Sequence, residues 1–353
     1  MKVAPILRAL RGRAGAPPST LVHTGQHYDT GLSAVFFEEL GIPAPDVHLN
    51  VGSGSHGAQT ARVLAAFEEH LLSATPRPCG VVVVGDVNST MAATLAAAKL
   101  GIPVAHVEAG LRSFDRTMPE EINRMVTDAV ADLLLCSEPS GEENLRREGV
   151  PQSRIRLVGN VMIDTLAREL PAARALGMSA TLGLNAASFA LVTLHRPSNV
   201  DGRHRLEDLV DFLVRLAARL PVIFPAHPRT RARLESFGLL DRVLTAPDLK
   251  LSEPLGYREN LGLMAESRLV ITDSGGIQEE TSYLQLPCLT LRPNTERPIT
   301  VTLGTNTVGE DLGRASSLVD EILEGRYRRG QPIPLWDGHA AERVVDELLR
   351  AWA

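Results

Sequence analysis

Aromatic residues supply only 4% of the 353 positions, and cysteine only three of them, Cys79, Cys136 and Cys288. Scattered, odd in number and lacking the short paired spacing of a zinc site, these cysteines argue against a disulfide scaffold and a structural metal and suit a reducing, cytoplasmic setting. No apolar run approaches the roughly 18 residues of a membrane span; the purest are short, such as Val81 to Val84. An excess of positive charge is missing too. The 36 Lys and Arg stand against 42 Asp and Glu, which leaves no global basic footprint for nucleic acid. Acidic residues are absent from Met1 to Tyr28, where Arg8, Arg11 and Arg13 on an apolar segment look superficially like an organellar transit peptide. An amphipathic first helix over Val3 to Leu10 explains the same residues. Neither a Walker A sequence nor Asp-x-Asp occurs, so no metal-gripped nucleotide and no cofactor are expected.

What is present is an alternation. Short, nearly continuous apolar runs at Thr20 to His23, Val81 to Gly85, Val104 to Val107, Leu133 to Cys136, Ile155 to Val158, Ala190 to Leu194, Val222 to Phe224, Leu269 to Thr272 and Cys288 to Leu291 read as strands buried on both faces of parallel sheets. Helical patterns lie between them, among them Ser89 to Leu100, Glu120 to Ala131, Arg205 to Leu220 and Gly275 to Leu286. The fold class is therefore α/β, doubly wound, and the length calls for two domains of about 150 to 200 residues. Residues 1–168 form the expected N-terminal domain and 169–338 the C-terminal one. Residues 339–353 carry a last helix expected to return to the first domain. The linker is placed in the Ala- and Leu-rich stretch Leu166 to Asn185, which holds Pro171, Gly177 and Gly183. Ligands of such folds bind at the C-terminal ends of the strands, in a cleft.

Acids, histidines, arginines and glycines gather at those ends. Gly52 to Gly57 matches GxGxxG before a helix over Ala58 to His70, but Leu71 to Pro78 supplies no acid, so a loop at a helix start is preferred to a dinucleotide site. Asp273-Ser274-Gly275-Gly276 opens a helix after a buried strand, as a phosphate site does; a plain Ser or Asp cap is the alternative. Glu280 suits ribose hydroxyls or solvent, and Arg292 and Arg297 suit an anionic neighbour. His106 to Arg112 carries Glu108 to a strand end, Asp86 ends the neighbouring strand, and Glu120-Glu121 begins a helix. Three such acids would serve proton removal and return at carbon. Taken singly, Asp86 reads as a cap of the helix after it and Glu120 as a partner of Arg124. His195-Arg196 and His227-Pro228-Arg229 follow successive strands and favour an anion site.

Thr24-Gly25-Gln26-His27, Gly85-Asp86, His106 to Arg112, Met118 to Arg124, Thr193 to Asn199, Thr272 to Glu280 and Thr295 to Pro298 together resemble the non-hydrolysing UDP-N-acetylglucosamine 2-epimerases, in the same order over nearly the whole chain. The resemblance implies two Rossmann-like domains facing a cleft in the GT-B manner. It also implies reversible conversion of UDP-GlcNAc to UDP-ManNAc by elimination and re-addition of UDP. It assigns catalytic roles to Asp86, Glu108, Glu120 and His195, and substrate binding to Lys2, Arg112, His227, Ser274, Gly275, Gly276, Glu280 and Arg297. Gln26, His27 and Arg62 match a second, regulatory site, where UDP-GlcNAc would act as an activator. A homodimer serving polysaccharide synthesis follows by the same route. Two departures stand out: the chain opens at Met1-Lys2-Val3, inside what is the family's first helix, so the first strand and its arginine turn are without counterpart, and Asn260 replaces a frequent aromatic. A hydrolysing relative releasing UDP and ManNAc, an epimerase of a modified UDP-sugar such as a diacetamido uronic acid, a GT-B glycosyltransferase and a non-catalytic UDP-sugar binder are the competing readings.

Overall fold

All nine apolar runs read as strands become strands, and the central ones are enclosed on both faces. The computed structural model describes residues 1–25 and 39–352, and the chain divides into two units, residues 1–165 with 334–353, and residues 166–333. In the first unit β1 (Val22–His23) and β2 (Val47–His48) pair parallel with each other. Separately, β3 (Val81–Val84), β4 (Val104–Val107), β5 (Leu133–Cys136) and β6 (Ile155–Leu157) form a parallel sheet in sequence order. β4 and β5 are buried at every residue, which removes any need for polar alternation; the polar exception is His106, treated below. The helices Val3–Gly12 and Ala340–Trp352 cover one face, where Ile6, Val344 and Leu348 share a cluster with Ala105, Val107 and Leu135. Asp164 starts the last helix by accepting the Ala340 and Ala341 amides at 3.1 and 2.6 Å.

The second unit holds β7 (Ala190–Thr193), β8 (Val222–Pro225), β9 (Leu249–Ser252), β10 (Leu269–Thr272), β11 (Cys288–Thr290) and β12 (Asn306–Val308), all parallel in the order β12-β11-β10-β7-β8-β9. The chain winds outward from β7 through β8 to β9, then resumes at β10 on the other side of β7. The strand order therefore reverses between β7 and β10, and a crevice for ligands opens at the C-terminal ends of those two strands.

Two expectations are corrected. The stretch read as a linker from Leu166 begins inside the helix Val161–Ala175 and runs on into Met178–Thr181. Pro171 is tolerated inside the helix because Leu166, Glu169 and Ala173 are buried, and packing outweighs one missing amide bond. Asp86 does not cap the following helix, whose N-cap is Val87 with no side-chain bond. The GxGxxG match is a helix start: Ser55 accepts the Ala58 amide, and the helix runs His56–Ser73.

Close packing also fixes Gly110, which has φ +80° and whose Cβ, if it had one, would lie 2.3 Å from the Gly141 carbonyl oxygen. Backbone cannot yield there as a flexible side chain would, so Gly110→Ala should cost at least about 2 kcal/mol. A melting curve shows it; an unchanged midpoint would contradict this packing.

Candidate active site

In the first unit the chain turns sharply after β3 and β4, at Gly85 (φ +75°) and at Glu108, a non-glycine residue held at φ +71°. Strain of this kind persists where the surroundings impose it, and it clusters at functional sites. Both the Glu108 and Ala109 amides donate to the Leu135 carbonyl, at 3.0 and 3.2 Å. Pro119 opens the helix Pro119–Val130, whose Asn123, Arg124, Thr127 and Asp128 are buried. From there Arg124 Nη2 reaches Asp86 Oδ2 at 2.7 Å and Glu108 Oε1 at 3.1 Å. Asn123 Nδ2 adds a bond to the Asp86 carbonyl at 3.0 Å. Lys2 Nζ pairs with Glu108 Oε2. Two carboxylates are thus gathered under two cations at adjacent strand ends. Glu120, one turn before Arg124, is half-buried and forms no ion pair with any described residue. Glu121 instead accepts the Ser113 and Phe114 amides and folds the preceding loop.

In the second unit the crevice between β7 and β10 is furnished by the residues that end those strands. Asp273 is fully buried and accepts the His195 and Arg196 amides, at 3.0 and 2.9 Å, and Asn199 Nδ2 at 3.1 Å. Burial pushes its carboxyl up, but the bond and charge of His195, with the Arg196 amide and Asn199, outweigh that and hold it below the ordinary value. His195 Nδ1 lies 3.1 Å from the same carboxylate. An anionic acceptor assigns the proton to Nδ1, and Nε2 is left to work. The His227 ring sits 5.6 Å from that of His195. Its Nδ1 accepts the Arg229 amide at 3.1 Å, and burial, then His195 and Arg229, lower its pKa. A neutral imidazole with a free Nε2–H donor results.

The helix Gly275–Leu284 begins at Ser274, which makes no side-chain cap, so the first amides and the hydroxyl are not used up by capping. Glu280 is buried on this helix and accepts the Tyr257 hydroxyl at 3.0 Å. Burial first, and then Glu279, push its carboxyl up to about 7 against the opposing bond from Tyr257.

Of the residues expected at a site, Lys2, Asp86 and Glu108 converge in the first unit, and His195, His227, Ser274, Gly275 and Gly276 share the strand ends of the second. Two are given a different post. Arg112 is turned inward, donating to Glu148 at 2.8 and 2.7 Å, to Asp128 at 2.7 Å and to the Leu111 carbonyl, so its donors are committed within the unit. Arg297 bonds Glu279 at 2.5 Å and Glu296 at 2.6 Å and supports the helix start from behind, its Nη1 2.9 Å from where a Cβ on Gly275 would stand. Arg292 completes that bed against Glu296 at 3.0 Å. Arg62 donates to the Val51 and Ser53 carbonyls, while Gln26 and His27 lie outside the described residues. Arg124 and Tyr257 were not foreseen as site residues, and Asp273, expected as part of the motif that opens the helix, holds the loop of His195 instead of a cap. A helix whose buried positions are polar was the available signal for Arg124.

Comparison with known proteins agrees over almost the whole length. The family model for UDP-N-acetylglucosamine 2-epimerase matches residues 11–349. A UDP-N-acetylglucosamine 2-epimerase of Methanocaldococcus jannaschii is 41% identical, the match covering 98% of this chain and 94% of that protein. A UDP-2,3-diacetamido-2,3-dideoxy-D-glucuronate 2-epimerase of Pseudomonas aeruginosa is 42% identical over 94% of this chain and 91% of its own. Among solved structures, the M. jannaschii UDP-GlcNAc 2-epimerase in complex with UDP-GlcNAc and UDP superposes with a TM-score of 0.88 at 40% identity, covering 99% of this chain and 96% of that one. The Neisseria meningitidis UDP-GlcNAc 2-epimerase bound to UDP-GlcNAc gives 0.87 at 28% identity with the same coverage.

Proposed function

The chain belongs to the UDP-N-acetylglucosamine 2-epimerase family, and from that premise we propose that it interconverts UDP-GlcNAc and UDP-ManNAc by the non-hydrolysing route. The observation that carries this reading is the pairing of Asp86 and Glu108 by Arg124 and Lys2, with Glu120, which has no ion pair among the described residues, one turn from Arg124 on the helix Pro119–Val130. A carboxylate of this group removes the C2 proton as the C1–O bond breaks, and the bonding pair leaves with UDP. Protonating the resulting 2-acetamidoglucal on its other face while UDP re-adds gives the epimer. The second unit handles the nucleotide: the Ser274 helix start meets the diphosphate with free amides and a positive dipole end, the His227 Nε2–H donates to the charge that develops on it, His195 does the same from Nε2 once that nitrogen has taken up a proton, and Glu280 accepts from ribose hydroxyls. The Asp273 carboxylate keeps His195 in one tautomer throughout.

The test is proton NMR with UDP-GlcNAc in heavy water. UDP-ManNAc carrying deuterium at C2 is the expected product; free ManNAc with stoichiometric UDP would assign the hydrolysing reaction instead. The P. aeruginosa relative favours a second substrate, a UDP-diacetamido-glucuronate, so the same exchange is followed with that sugar. Exchange there and not with UDP-GlcNAc would move the assignment to it. No exchange with either would overturn the epimerase reading in favour of glycosyl transfer or binding alone.

A further inference from the structure

His106 stands in the middle of buried β4, two residues before Glu108, and is itself fully buried. Its Nδ1 is 2.7 Å from Asp128 Oδ1 and its Nε2 is 2.8 Å from the Gly85 carbonyl oxygen. A carbonyl accepts only, and burial raises the Asp128 carboxyl less than His106 and Arg112 together lower it, so this group is an anionic acceptor too. Both ring nitrogens therefore donate, and the ring is a two-ended tie. At one end it holds Gly85, the residue before Asp86. At the other it orients Asp128, whose Oδ2 accepts the Gly110 amide at 3.0 Å and Arg112 Nη1 at 2.7 Å, with Arg112 anchored in turn on Glu148.

The residues so held are those that need holding. Gly85, Glu108 and Gly110 lie at φ +75°, +71° and +80°, in turns just past the paired ends of β3 and β4, and a displacement of about 1 Å at a catalytic group costs on the order of a hundredfold. We propose that His106 is a positioning residue that sets the separation of the Asp86 and Glu108 carboxylates by tying both of their strand-end turns to Asp128. It touches neither carboxylate side chain and acts through the Gly85 carbonyl and the Asp128–Gly110 bond. This rests on the epimerase reading above.

Two variants divide the tie. In His106→Asn the amide nitrogen takes the place of Nδ1, keeping Asp128 and releasing Gly85; in His106→Gln it takes the place of Nε2, keeping Gly85 and releasing Asp128. C2 deuterium exchange in both should show kcat lowered at least about tenfold with KM for UDP-GlcNAc within about twofold, a split that mere loss of stability does not produce. Asp128→Asn, which keeps the shape and an acceptor for Gly110 but cannot accept from both His106 and Arg112, should do the same if the histidine variants precipitate. A kcat within threefold of wild type in any folded variant, whatever its melting point, would overturn the proposal. The wild-type enzyme is run alongside: its failure to exchange C2 tells against the epimerase reading, whereas active wild type with unimpaired variants tells against His106 alone.

Discussion

Glu108→Gln is expected to slow C2 exchange about a thousandfold, within the range spanned by loss of a general acid or base, while KM for UDP-GlcNAc changes little. The amide fills the same volume, but its single oxygen accepts from only one of Arg124 and Lys2 and leaves its NH2 against the other; the left-handed turn at φ +71° belongs to the backbone and survives. What disappears is one of the two negative charges that face two cations at this point. Removing a partner from a buried ion pair is usually costly. Here Arg124 keeps Asp86, and Lys2 is about a quarter exposed, so the melting point should fall by only a few degrees, from a loss of about 1–2 kcal/mol. Glu120→Gln separates chemistry from support. That carboxylate makes no ion pair with a described residue, so its removal should leave the melting point alone and still abolish exchange if it carries the C2 proton. Exchange within threefold of wild type in both variants would remove this cluster from the chemistry.

Nine strands were legible as nearly continuous apolar runs, β1, β3, β4, β5, β6, β7, β8, β10 and β11, most clearly β4, β5 and β10, which are buried at every residue. Those missed lie at sheet margins or are very short. Leu249–Ser252 alternates and carries Lys250, Asn306–Val308 is three residues with one apolar side chain, and Val47–His48 is a two-residue pairing. None has the composition from which a strand is read. The acids at the strand ends were visible because each closes an apolar run. Arg124 was not, since in sequence it is simply four residues after Glu120 and reads as its helical partner. Its actual contacts are 38 and 16 residues away, and only the packing of the helix Pro119–Val130 against β4 and the helix Asn88–Lys99 brings them together. Arg112 and Arg297 misled in the opposite direction. An arginine beside a motif looks like a ligand-binding group, and nothing in the spacing reveals that Glu148 and Asp128, or Glu279 and Glu296, already occupy its donors.

Glu280→Gln is expected to stabilise the protein above neutral pH and weaken its hold on the nucleotide. Burial, and then repulsion from Glu279, raise the Glu280 carboxyl from 4.5 to about 7 against the bond from Tyr257. Below pH 4.5 it is protonated in the folded and the unfolded chain alike, and no penalty arises. Between pH 4.5 and about 7 the unfolded chain has lost the proton while the buried carboxyl of the folded chain still keeps it, so stability falls across this window by roughly 3 kcal/mol and the full penalty stands above it. Glutamine never ionises. The variant should therefore melt with the wild type at pH 5 and several degrees above it at pH 8, the direction expected for residues 166–333 as a cooperative unit. Such a penalty is sustained where the charge is needed, and a carboxylate accepting from two ribose hydroxyls is a use that an amide serves poorly. Charge-assisted bonds are about twice as strong as neutral ones, so affinity for UDP should fall about tenfold to a hundredfold at pH 8. The difference should narrow toward pH 6, where wild-type Glu280 is largely protonated before ligand arrives. Comparing variant with wild type at each pH cancels the titration of the ligand's own phosphate. A variant that melts below wild type at both pH values with unchanged UDP affinity would instead make Glu280 a structural acceptor for Tyr257, and the ribose role would pass to another residue of the β7–β10 crevice.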